Sequence, residues 1–222
     1  MLLAIDTSTA QIGLALYDGT QVSGEFVWQS RTHHTQQLAP ALADLLGRVD
    51  VKIDAVTALG VALGPGSFTS LRVGLAFAKG LALARHIPVI GIPSLDVTAA
   101  AVPLSDRKLA AILQAGRGRL ALGWYKPTEN GWQAEGPATV TTAEALTEKI
   151  RKPVIVCGEL SADERQRLAR RYKNVTLASP AQCVRRPGIL AELAWQKWQA
   201  GKTDPAASLA PIYLHVAGGL PA

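Results

Sequence analysis

The sequence predicts an α/β fold in two subdomains, each a mixed sheet flanked by helices, and three observations carry that prediction. Residues 2–28 alternate apolar runs with turn residues, as a three-stranded meander does. Residues 55–85 read as buried strand, tight turn and long apolar helix. Beyond Pro103, strands and helices alternate again, the pattern of a second parallel or mixed sheet. The expected division is therefore 1–103 and 104–222, with the final helix free to pack back on the first part.

Taken in order, Leu2 to Ile5 is an apolar strand, and Asp6-Thr7-Ser8-Thr9 has turn chemistry. Ile12, Leu14 and Leu16 alternate, and Asp18-Gly19 signals a hairpin before Val22 to Trp28. From Thr35 the period changes: Leu38, Ala41, Leu42, Leu45 and Leu46 recur at helical spacing, with Gly47 as the expected stop. After the apolar run 55–62, Gly64-Pro65-Gly66 permits a tight turn, and Ser67 or Thr69 can cap the helix that follows to Arg85. That helix is apolar nearly all round, its polar Arg72 and Lys79 lying on one narrow stripe. Small residues such as Gly74, Ala78 and Gly80 would let another helix approach, and the 36–46 helix is the nearest candidate. The pair forms a surface that is either closed within the chain or shared with a partner.

Pro88 to Ile92 is a short strand and Ser94 the cap of a helix through Ala101. In the second half, Leu109–Leu113 and Leu120–Tyr125 are strands, and Glu129-Asn130-Gly131 turns a hairpin. Thr141 or Thr142 caps a helix to Ile150. Pro153–Cys157 and Val175–Leu177 are strands around a helix at Ala162–Arg171, and a last helix runs from Pro187 to Gln199.

Composition narrows the function classes. No stretch supplies the roughly 20 uncharged apolar residues of a membrane span, since Arg72 and Lys79 interrupt the longest candidate, and the first residues lack a signal peptide's basic flank; a cytoplasmic protein is expected. Cys157 and Cys183 are too few for a disulfide framework or a zinc site and are read as structural thiols. Residues 1–103 hold six Lys/Arg against seven Asp/Glu, whereas 104–222 hold seventeen against ten. The second half is the basic half. Its densest run is Arg165, Arg167, Arg170, Arg171 and Lys173, then Arg185 and Arg186, which is either a solvated helix face or a patch for a polyanion such as RNA.

Known catalytic patterns do not assemble. The phosphate-loop spacing with its lysine is missing, and Gly64-x-Gly66 lacks both the third glycine and the acidic residue of a dinucleotide site. Ser67 stands outside a nucleophile elbow, and none of His33, His34, His86 or His215 can be assigned to it. Adjacent His33 and His34 diverge and have no third ligand at metal spacing, so no metal site, no catalytic set and no cofactor is expected. Asp6, Thr7 and Ser8 could still form a phosphate hairpin, which keeps an ATP-binding or ATP-hydrolysing enzyme as the alternative.

The N-terminal Leu3-Ala4-Ile5-Asp6-Thr7-Ser8, the stretch from Leu63 through Gly64-Pro65-Gly66-Ser67-Phe68-Thr69-Ser70 to Leu75, and Ala78-Lys79-Gly80-Leu81-Ala82 resemble the bacterial TsaB (YeaZ) family. The likeness is dense over residues 1–95. Later, mainly Pro211-Ile212-Tyr213-Leu214 matches a family Pro-x-Tyr-Leu-Arg, with His215 replacing arginine, and Gln114-Ala115-Gly116-Arg117 stands where the family has Asp-Ala-Arg.

The resemblance implies an actin-like (ASKHA) fold of two ribonuclease-H-like subdomains. It also implies a non-catalytic subunit that supports a TsaD-like transferase in forming threonylcarbamoyladenosine on tRNA, with a TsaE-like ATPase completing the assembly. It implies pairing with TsaD or with a second copy through the two N-terminal-half helices, which places Leu38, Ala41, Leu42, Leu45, Val73 and Phe77 at the interface. Asp6, Thr7 and Ser8 would then be a vestigial nucleotide hairpin, and Arg165, Arg170 and Arg171 would be contacts to RNA.

Overall fold

The computed structural model describes residues 1–30, 34–116, 118–171 and 173–214. Two sheets, built on one strand order, organise the chain. The first runs β3 (Val22–Gln29), β2 (Gln11–Tyr17), β1 (Leu2–Asp6), β4 (Ala58–Ala62), β5 (Val89–Ile92). β1 pairs antiparallel with β2 and parallel with β4, Ile5 standing opposite Leu14 on one side and Val61 on the other. The second repeats the order as β8 (Gly131–Ala134), β7 (Leu120–Thr128), β6 (Lys108–Gln114), β10 (Val154–Gly158), β11 (Val175–Leu177), with β9 (Thr139–Thr141) added beside β7.

Period-2 apolar residues put Leu3, Ile5, Ile12, Leu14, Leu16, Leu59 and Val61 in one core with Leu38, Leu42 and Leu45 of α1 (His34–Arg48) and Leu75, Ala78 and Ala82 of α2 (Phe68–Arg85). α6 (Pro187–Gln199) packs on β1, β2, β4 and β5 and so belongs with the first sheet. Its Trp195, off the apolar stripe of its helix, meets Tyr17 and Trp198 edge-on. The second core gathers Ala110, Ile112, Leu120, Leu122, Val154 and Val156 with Leu146 of α4 (Ala143–Lys149) and Leu168 of α5 (Ala162–Ala169).

The described residues within 1–94 and 186–212 form one unit, and those within 95–185 with 213–214 the other. The division therefore falls at Ser94–Leu95 and not at Pro103, because Leu95 and Ala99 of α3 (Ser94–Ala100), with Val102, sit in an apolar cluster with Leu109, Ala111 and Tyr125. Helix ends also differ from expectation. α1 runs through Gly47 to Arg48 and closes with Val51 N–H on the Leu46 carbonyl (3.0 Å) around Asp50, whose φ of 51° takes the left-handed place expected of a glycine. α2 starts at Phe68 on the Ser67 cap, the first of the two capping hydroxyls expected. No helix among the described residues is long and apolar enough to cross a membrane.

Candidate functional site

Asp6 ends β1 and opens the turn to Thr9, four polar residues none more than 5% exposed. Polar groups buried to this degree need partners, and the chain supplies them. Ser8 N–H donates to Asp6 Oδ1 (2.8 Å), Thr7 Oγ1 donates to the Ser70 carbonyl (2.7 Å), and the Ser8 and Ser94 hydroxyls share a hydrogen bond. Ser94 Oγ also accepts from Gly64 N–H (2.9 Å), and Ser67 N–H donates to the Ser8 carbonyl (2.7 Å). The Gly64–Ser67 segment thus lies directly on the turn. A Cβ added to Gly66 would stand 2.0 Å from Ser8 O, and one on Gly74 would stand 2.2 Å from Thr7 Oγ1. Gly74 therefore admits the turn and not a second helix.

The Thr7 and Ser8 hydroxyls and the Ser8 amide are thus engaged within the chain, in the manner of a structural clasp. Ser67 Oγ accepts from Ser70 Oγ (2.9 Å) and caps α2. His34 Nε2 donates to the Thr9 carbonyl (3.1 Å), His86 forms the left-handed C-cap of α2, and His33 and His215 lie outside the described residues. Burial, then neighbouring Cys183, pushes the Cys157 thiol up, which keeps it protonated and unreactive. Among the described residues no three His, Cys, Asp or Glu side chains converge as metal ligands would.

The outer side of α1 and α2 is different. Leu38, Leu42 and Leu45, expected at an interface, are 1–5% exposed and belong to the chain's own core. Each such burial contributes about 1.5–3 kcal/mol to folding, which explains their spacing without a partner. Ala41 and Phe77 are half-buried against that core and Val73 is half-buried, while Arg72, Ala76, Gly80 and Leu83 face solvent, Leu83 at 70% exposure. Phe68, 38% exposed, carries the Arg72 guanidinium 3.6 Å above its ring. Thr35, Leu38, Phe68, Arg72, Val73 and Phe77 line a groove of about 460 Å³. Phe68 was the residue missed by sequence reasoning; its signal was the i, i+4 spacing to Arg72. Lys79 leaves the polar stripe, its Nζ donating to the Ala207 carbonyl (3.3 Å).

The basic run is also divided by the fold. Arg165, expected to contact RNA, is half-buried, with its guanidinium on the Ala178 carbonyl (2.9 Å) and Cys183 Sγ (3.8 Å). It is a structural residue. Arg167 pairs with Glu144 (2.8 Å), Arg186 with Glu25, and the buried Arg185 with Glu159 (2.6 Å). Arg170, Arg171 and Lys173 are exposed at the end of α5. Arg117 lies outside the described residues.

Two sheets of one strand order, with helices laid on them, define the actin-like fold. YeaZ from Pseudomonas aeruginosa superposes with a TM-score of 0.76 at 24% identity, over 96% of this chain and 99% of that one. The ethanolamine utilization protein EutJ from Carboxydothermus hydrogenoformans shares the fold at a TM-score of 0.51 and 14% identity, over 85% and 88% of the two chains. In sequence, the family model described as TsaD, tRNA N6-adenosine threonylcarbamoyltransferase, matches residues 28–184. The tRNA threonylcarbamoyladenosine biosynthesis protein TsaB of Escherichia coli is 34% identical over 155 residues, 68% of this chain and 66% of that protein, just under two thirds of its length. The chain belongs to the TsaB (YeaZ) family.

Proposed function

We propose that this protein is a non-catalytic subunit that docks a TsaD-like transferase and supports it in forming threonylcarbamoyladenosine on tRNA. The observation that carries the reading is the outer face of α2. Phe68, Arg72, Ala76 and Leu83 form a solvent-facing, mostly apolar stripe beside a groove, while the helix's inner face is committed to its own sheet. Ala41, Val73 and Phe77 border the contact, and the same face serves a second copy when the transferase is absent. A TsaE-like ATPase joins the assembly through the transferase. The polar turn at Asp6–Thr9 favours scaffolding over ATP chemistry, because its hydroxyls are engaged within the chain.

Co-expression with the TsaD-like paralogue tests this reading. Ala76→Glu with Leu83→Glu places two carboxylates on the exposed stripe without touching the core, and is expected to abolish copurification and lower modified adenosine in tRNA at least tenfold. Undiminished copurification by the double variant would remove α2 as the docking face.

A further inference from the structure

We propose that the end of the second sheet where β6, β10 and β11 begin is an RNA-binding groove that holds the phosphate backbone and one stacked base of a single-stranded segment of tRNA. The choice of tRNA rests on the function proposed above; the groove itself rests on geometry. The three strands run parallel, with Val154 in register with both Lys108 and Val175, so the segments that lead into them meet at one end. Hydrogen bonds tie those segments together: Val154 N–H to the Asn174 carbonyl (2.9 Å), Asn174 Nδ2 to the Arg151 carbonyl (3.4 Å) and Arg107 Nη1 to Thr176 Oγ1 (3.0 Å).

Here lies a groove of about 1040 Å³, with Arg107, Lys108, Lys149, Arg151, Lys152 and Trp124 among its lining residues. Its two carboxylates are Asp106 and Glu135, and Lys108 Nζ spans both oxygens of Glu135 at 2.7 Å. Lys149 sits in the last turn of α4, where a helix's carbonyl end ordinarily attracts a cation. No such partner accounts for Arg107, Arg151 and Lys152, which form no ion pair with another described residue.

Exposed Arg171 and Lys173 extend the band, since the Arg171 carbonyl accepts from Val175 N–H (2.9 Å) at the start of β11. Cations gathered this way repel one another until a polyanion covers them. The half-buried indole of Trp124, packed on the second core, also lines the groove, and cations beside an aromatic side chain are how single-stranded nucleic acid is held.

Anisotropy titration of the full-length chain with an unmodified tRNA transcript, at 50 to 200 mM salt, tests the groove. Arg151→Glu with Lys152→Glu is expected to weaken binding at least tenfold and to reduce the log–log salt slope by about 1.5, two phosphate contacts' worth. Arg151→Gln with Lys152→Gln should lose less. Lys52→Glu with Lys202→Glu makes the same charge change on exposed residues of the first unit and should stay within twofold of the parent. Wild-type affinity and slope in the Arg151/Lys152 variant, or an equal loss in the Lys52/Lys202 control, would overturn the proposal. Capture of the same proteins by immobilised TsaD-like paralogue reads the scaffold role separately, so either reading can fail while the other stands.

Discussion

Set side by side, the β1–β2 turn of the first sheet and the β6–β7 turn of the second occupy the same place in one strand order and are finished in opposite ways. The first is short, buried and pinned by the helix-entry segment laid on it. The second is wide: Ala115 N–H reaches the Arg119 carbonyl (2.8 Å), and Gly116 and Gly118 take left-handed φ of 72° and 69° with nothing within 4 Å of a would-be Cβ. The helices that follow diverge in the same sense. α2, between β4 and β5, has 18 residues and an apolar exposed stripe; α5, between β10 and β11, has 8 and is charged. One topology thus yields a unit that spends its polar groups internally and offers apolar surface, and another that leaves cations in water.

Four substitutions, the last read by pH, bear on the contrast. The largest effect is expected at the second unit's polar anchor. Glu159 accepts from the buried Arg185 and, at 3.3 Å, from Gln114 N–H at the edge of the wide turn. Removing one partner of such a pair costs about 3–5 kcal/mol, so Glu159→Ala should lower the urea midpoint strongly; a loss under about 1 kcal/mol would mean that the pair does not hold the turn. Next, Gly66→Ala forces a methyl group into the Ser8 carbonyl and should cost about 3 kcal/mol. Gly116→Ala, strained only in its backbone, should cost about 1–2 kcal/mol. Equal losses in the two glycine variants, compared by denaturation, would erase the distinction between a clasped and an open turn.

The smallest effect is a pH dependence confined to the second unit. Tyr125 donates to Asp96 Oδ1 (2.7 Å), and burial, then the Asp96 charge, pushes its phenol far up. The unfolded tyrosine releases its proton near pH 10 while the folded one keeps it. Above that pH the native state holds more protons, and stability falls as pH rises. Tyr125→Phe should flatten this alkaline limb, which thermal melts from pH 8 to 11 would read.

Much of this architecture was legible in the sequence, because local patterns specify it. Apolar runs marked the strands of the first sheet, Ser67 and Thr142 cap α2 and α4 as two of the expected hydroxyls, and Gly64-Pro65-Gly66 marked the turn, whereas the short β9 carried no such run. Periodicity finds an apolar helix face but not what covers it, so it left the α1–α2 surface open between closed and shared; Leu38, Leu42 and Leu45, placed at an interface by the resemblance, lie in the core of the first sheet. Clustering along the chain misled in the same way. Arg165 stands in the densest basic run yet points into its own unit, whereas Arg107 and Arg151, 44 positions apart, meet through the parallel register of β6 and β10. Long-range pairing of that kind leaves no local mark. Gly47, an apparent helix stop, was passed over because the chain could reverse at Asp50 instead.

The clasp at Asp6–Thr9 has a consequence for motion. Glycine, proline and serine in a row ordinarily signal a mobile loop, but here the amides of Ser8, Gly64, Ser67 and Ser94 are all bonded inside one knot of β1, β4, α2 and α3. Ser67 N–H on the Ser8 carbonyl and Thr7 Oγ1 on the Ser70 carbonyl tie that knot to the head of α2. The segment that looks most pliable in the sequence is therefore held at once by the turn, the strand end and the helix head that it joins.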